Sequence, residues 1–172
     1  MSTINLDKIA AQNAQEIMTV TKLKVGKKKQ SIEAKTVDTL ATKALGVLQE
    51  QGIYSLMLFL LSRSGEKNIL KELDAEKVCA CYITKTLLNI LVLSPFESWG
   101  YGLQEAIVWN QINNKKKIIL DTLSKDGKLL DNLDHLFLIK NLYEQVLIYA
   151  RYAAKAEAVA MDEENKSGGQ TP

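Results

Sequence analysis

The chain has 172 residues, 47% of them hydrophobic and 24% charged, with a net charge of +2. Those proportions fit one soluble globular domain and exclude a disordered, collagen-like or disulfide-framework chain. The two cysteines, Cys79 and Cys81, stand two apart with no second pair. They make neither a zinc ligand set nor a disulfide scaffold, so a reducing cytoplasmic compartment is expected.

The chain holds two prolines, Pro95 and Pro172, and no sustained alternation of apolar and polar residues. The expected fold is therefore all-α, a compact bundle of five to seven helices over residues 1–161 with a disordered polar tail over 162–172. The first helix is expected to follow a cap region at Ser2–Asn5, with Leu6, Ile9, Ala10, Ile17 and Val20 on one side. The segment from Lys22 to Gln30 reads as a loop or frayed helix end. Val37, Leu40, Ala41, Ala44, Leu45 and Leu48 then mark a second helix that Gly52 ends. Ile53 to Arg63 is apolar nearly all round and reads as a buried central helix closed by Ser64-Gly65. At nine residues its apolar run, Ile53 to Leu61, is too short to cross a bilayer. No cationic start, apolar stretch and small-residue cleavage site mark a secretory signal, so no membrane association is expected.

A charged connector from Glu66 to Asp74 leads into a helix over Ala75–Leu93, which must stop near Ser94 because Pro95 disfavours helical geometry before it. Pro95 to Gly102 reads as an exposed loop rich in aromatics. A fifth helix is expected from about Leu103 to Leu123, then a turn at Ser124–Gly127. The last helix is expected over Asp134 to Met161, with a short turn at Lys128–Leu133 before it.

Chemistry is sparse. His135 is the single histidine, and Asp131 or Asp134 could orient it as a base; the plainer reading is a residue at a helix start near capping aspartates. Gly-x-Ser-x-Gly, a phosphate-cradling glycine loop and His-Glu-x-x-His are all missing from the sequence. A chain without catalytic residues, metal ligands or cofactor is expected. Cys79 and Cys81 fall about 200° apart on a helix, and core burial is expected for at least one.

The basic residues carry more. Residues 1–35 hold seven lysines against three acids, whereas the stretch from Asp162 holds three acids against Lys166. Lys22, Lys24, Lys27, Lys28 and Lys29 crowd one short segment with no acid among them, and Lys115, Lys116 and Lys117 are consecutive. On the last helix Lys140, Glu144, Arg151 and Lys155 share one side, opposite Leu142, Tyr143, Val146, Tyr149, Ala150 and Ala153. Such spacing either solvates a helical face or brings cations to successive phosphates, where binding is independent of sequence. The candidate RNA-binding set is Lys22, Lys24, Lys27, Lys28, Lys29, Lys115, Lys116, Lys117, Arg151 and Lys155. Tyr143 and Tyr149 read as core, whereas Tyr152 beside Arg151, or Trp99 and Tyr101 in the loop, could stack on bases.

Two segments resemble a known family. Leu48 to Arg63 (LQEQGIYSLMLFLLSR) is a polar helix end, a glycine and an apolar helix closed by a small residue and a cation. Asn141 to Ala156 (NLYEQVLIYARYAAKA) lies in a long last helix before an acidic tail and carries an aromatic-x-Arg-aromatic-Ala pattern. Together they resemble the small helical (fifth) subunit of the type III-B CRISPR Cmr effector complex. The resemblance implies a non-catalytic, all-helical subunit that stacks in copies along a ribonucleoprotein filament. Its implied partners are the other Cmr effector subunits, copies of itself, crRNA and target RNA. The alternative is a helical adaptor that binds protein and not nucleic acid, with an apolar patch near Trp99 and Tyr101.

Overall fold

The computed structural model describes residues 5–25, 30–64, 74–101 and 116–167. Among these residues there are five α-helices: α1 (Leu6–Met18), α2 (Ala34–Arg63), α3 (Ala75–Val92), α4 (Lys116–Ser124) and α5 (Leu133–Ser167). Short 3₁₀ turns lie at Thr19–Lys22, Phe96–Trp99 and Leu129–Asp131. Between α1 and α2 two short strands, β1 (Lys24–Val25) and β2 (Gln30–Ser31), pair antiparallel. The bundle is all-α as expected, with this small ladder as its addition.

Side-chain caps fix three helix starts. Asn5 Oδ1 accepts the Lys8 N–H at 2.9 Å, and Asp74 Oδ1 accepts from Glu76 and Lys77 at 2.9 and 3.4 Å. At the start of α5, Asn132 Oδ1 accepts the His135 N–H at 3.1 Å. The cap here is thus an asparagine, and Asp131 instead accepts the Gly127 N–H at 2.7 Å.

Gly52 is the fold's sharpest device. Its φ of 84° and ψ of −173° interrupt α2 and join two helices, 34–51 and 53–63. By length and composition α2 could cross a membrane, but the Gly52 break divides it and twelve of its residues are buried. The second half is apolar nearly all round as read, but it is buried on one side only: Ile53, Leu56, Met57, Leu60 and Leu61 are buried, whereas Leu58 is 43% exposed.

The spine of the bundle is α5, which packs along α1 and α2, while α3 packs on α2 and α1. Asp38 meets Arg151 and Gln49 bonds to Glu144, so the first half of α2 runs antiparallel to α5. Tyr143 is fully buried at the centre, its hydroxyl donating to the Leu87 carbonyl at 2.7 Å. The same cluster takes in Leu48, Leu56, Met57, Ile83, Leu87, Val146 and Leu147. Both cysteines are buried, and neither forms a disulfide.

Two further expectations meet a different structure, and a third falls partly outside the described residues. The sequence predicts an open loop over Pro95 to Gly102, but Phe96–Trp99 forms a 3₁₀ turn with Phe96 buried, and Tyr101 just beyond it is buried as well. It predicts a disordered tail from Asp162, but Asp162 to Ser167 continues α5. It predicts a fifth helix from about Leu103; the structure describes α4 from Lys116, and 102–115 lies outside the described residues, as do 66–73 of the connector and 168–172.

Candidate nucleic-acid interface

The lysine segment after α1 is held at both ends. Val20 and Thr21 are buried in the 3₁₀ turn before it and Ile32 is buried after it. The Ile32 N–H donates to the Leu23 carbonyl at 3.3 Å, and the ladder pairs Lys24 with Ser31 and Val25 with Gln30. Leu23 and Val25 turn inward against the core while Lys22 and Lys24 are exposed. Lys22 ends the 3₁₀ turn and Lys24 opens β1, so both ammonium groups reach solvent on either side of inward Leu23. Lys27, Lys28 and Lys29, which join the strands in sequence, lie outside the described residues.

The other candidate cations gather around α2. Lys116 Nζ donates to the Ser64 carbonyl at 2.9 Å, closing the C-terminal end of α2 where a cation also complements the helix dipole. Lys117 beside it is exposed, and Lys115 lies outside the described residues. The preceding Arg63 pairs with Glu76 at 2.6 Å and lies over the Phe59 ring. Arg151 Nε stands 3.4 Å from Asp38 Oδ1, and Lys155 one turn on is exposed. Arg151 is therefore a half-buried bridge between α5 and α2, not a wholly solvated cation. Among the described residues no ion pair takes up Lys22, Lys24, Lys35, Lys43, Lys117 or Lys155.

The Gly52 break explains why these groups meet. It lets the end of α2 return toward its beginning, so that Glu76 both pairs with Arg63 and lines a groove with Glu33, Lys35, Thr36, Thr39, Leu40 and Lys43. Lys35 and Lys43 belong to no lysine run, and a search for runs passes over them. Their signal is the four-residue spacing Lys35, Thr39, Lys43 along an exposed helical stripe.

The aromatics at the opposite end are already engaged. His135 stacks on Trp99 with centroids 3.6 Å apart and planes 5° apart, and its Nδ1 bonds to the Tyr101 hydroxyl. Burial pushes the Tyr101 phenol up. The polar partner of His135 is thus Tyr101, where an aspartate is one of the sequence expectations. Tyr149 likewise donates to Asp7, and that hydrogen bond, with a smaller push from burial, raises its phenol above the ordinary range. Tyr152 is exposed. Next to the Trp99 stack, Leu6, Pro95, Phe96, Trp99 and Leu138 line an apolar groove of about 180 Å³. Leu93, Leu133 and Phe137 are exposed at 57, 64 and 61%, and Leu133 and Phe137 lie about 200° around α5 from His135.

Among the described residues no group of three or more His, Cys, Asp or Glu is placed to hold a metal ion. No family model, curated protein or solved structure matches the chain.

Proposed function

We propose that this chain is a non-catalytic small subunit of a type III-B CRISPR ribonucleoprotein that contacts the RNA backbone through lysines at one end of a rigid helical body. The observation that carries the RNA reading is the pinned hairpin: Lys22 and Lys24 both point outward from backbone anchored by buried Val20, Thr21 and Ile32. Side chains held this way lose less freedom on meeting a phosphate than lysines on a frayed end. The sequence resemblance supplies the assembly, its stacked copies and its crRNA and target RNA. The cytoplasmic setting follows from the same reading.

The test is RNA binding against salt. Each phosphate contact on a single strand contributes about 0.7 to the slope of log affinity against log salt. Lys22→Ala with Lys24→Ala should lower that slope by about 1.4 across unrelated RNA sequences, since backbone contacts carry no sequence information. An unchanged slope would remove the hairpin from the interface.

One observation favours the adaptor as a second reading. Leu93, Leu133 and Phe137 are large apolar side chains left exposed, the kind of surface that protein partners cover. A subunit of an assembly needs such a face as well, and the salt experiment separates the two readings.

A further inference from the structure

We infer that the groove between the start of α2 and the start of α3 is a subsite for one nucleotide of the RNA strand, a site that rests on the RNA-backbone reading above. The groove holds about 270 Å³ and is lined by Glu33, Lys35, Thr36, Thr39, Lys43 and Glu76 over a buried Leu40. That volume is just under the range of about 300–1,000 Å³ typical of small-molecule pockets, so it suits a group of nucleotide size. Six of its seven lining residues carry polar or charged groups, while polar and apolar atoms share the lining about equally, which suits a ligand with both a charged and a flat apolar part.

The charge balance favours an anion. Glu76 is taken up by Arg63 at 2.6 Å, so Lys35 and Lys43 face one uncompensated carboxylate, Glu33. Lys35 and Lys43 stand eight residues apart on one helix, about 12 Å along its axis, and flank the groove at both ends. Thr36 and Thr39 lie between them with hydroxyls that donate to a phosphate oxygen or accept from a ribose 2′-hydroxyl, the group that distinguishes RNA from DNA. Position supplies the last argument. Glu33 follows Ser31, the partner of Lys24, by two residues, so the groove opens where the lysine hairpin ends. A strand lying along Lys22 and Lys24 continues into it.

The experiment uses the full chain, a labelled oligouridylate and uridine monophosphate. Lys35→Gln with Lys43→Gln should lower the salt slope for the oligouridylate by about 1.4, the value for two contacts on a single strand. Thr39→Val should weaken binding about threefold to tenfold at an unchanged slope, as loss of one hydrogen bond does. All three side chains are exposed, and an unchanged circular dichroism spectrum verifies that the variants fold. Uridine monophosphate should compete weakly and shift the backbone amide resonances of residues 35–43. Wild-type RNA binding with no change in the double variant overturns the groove and leaves the hairpin reading standing. No RNA binding by the wild type overturns both. Uridine monophosphate binding as tightly as the oligouridylate overturns the strand path.

Discussion

Cys79 shows how far burial reaches into the chemistry of a single side chain. Burial, and then the nearby Glu76 carboxylate, push its thiol from 9.0 up to about 12. The folded thiol therefore holds its proton where the unfolded one has lost it. Stability is unaffected below about pH 9 and falls as pH rises from there toward 12, by at most about 1.4 kcal/mol per pH unit. Urea titrations should show Cys79→Ala losing less stability than wild type between about pH 9 and pH 11; parallel losses would mean that the thiol ionises freely in the fold. Tyr143 offers a second residue-level test. Its hydroxyl donates to the Leu87 carbonyl inside the core, so Tyr143→Phe should cost about 1 kcal/mol in chemical denaturation. A neutral result would show that the carbonyl does not miss its second donor. Spacing places both residues on helices, and Tyr143 and at least one of the two cysteines in the core, but it does not give the Tyr143–Leu87 bond. That bond joins residues 56 apart in sequence, and helical periodicity says nothing about such distances.

Among the elements, α2 repays the closest comparison of sequence with structure. Glycine after an amphipathic run is a readable helix stop, and Gly52 does stop one. The next helix, read from Ile53, follows directly; what the pattern does not reveal is the backbone angle at Gly52 that turns it. Two glycines of this element should answer the same substitution with opposite signs. Gly46 is inside the helix, and an added Cβ there would meet no atom within 4 Å, so Gly46→Ala should stabilise by about 0.5–1 kcal/mol. Gly52 has equal space but a φ of 84°, so Gly52→Ala should destabilise by about 1–3 kcal/mol. Thermal denaturation of the two variants checks the pair; the same sign for both would contradict the account of the break. The lysine segment is legible as polar punctuation but not as a hairpin, because strands of two residues are too short to show alternation. Inward Leu23 and Val25 are hidden among lysines.

For the whole molecule, the all-α bundle is readable because apolar stripes at helical spacing recur from α1 to α5. The gathering of cations is not. Lys35, Lys43, Arg63, Lys116 and Arg151 come from distant segments, and only the return of α2 at Gly52 and the packing of α5 bring them near one another. The opposite end shows the same limit: Trp99, Tyr101 and His135 form one stacked, hydrogen-bonded group across the start of α5, where the sequence suggests an open loop. The molecule thus presents the hairpin lysines and its exposed apolar side chains on separate elements, as the proposed subunit that touches RNA at one place and protein at another requires. Recovery of a tagged full-length chain from its native host at moderate salt tests that claim most directly. Short guide RNAs and several larger CRISPR effector subunits should come with it, and the Lys22→Ala, Lys24→Ala variant should bring less RNA while keeping its protein partners. A chain recovered free of nucleic acid, alone or with one unrelated protein, would contradict the account.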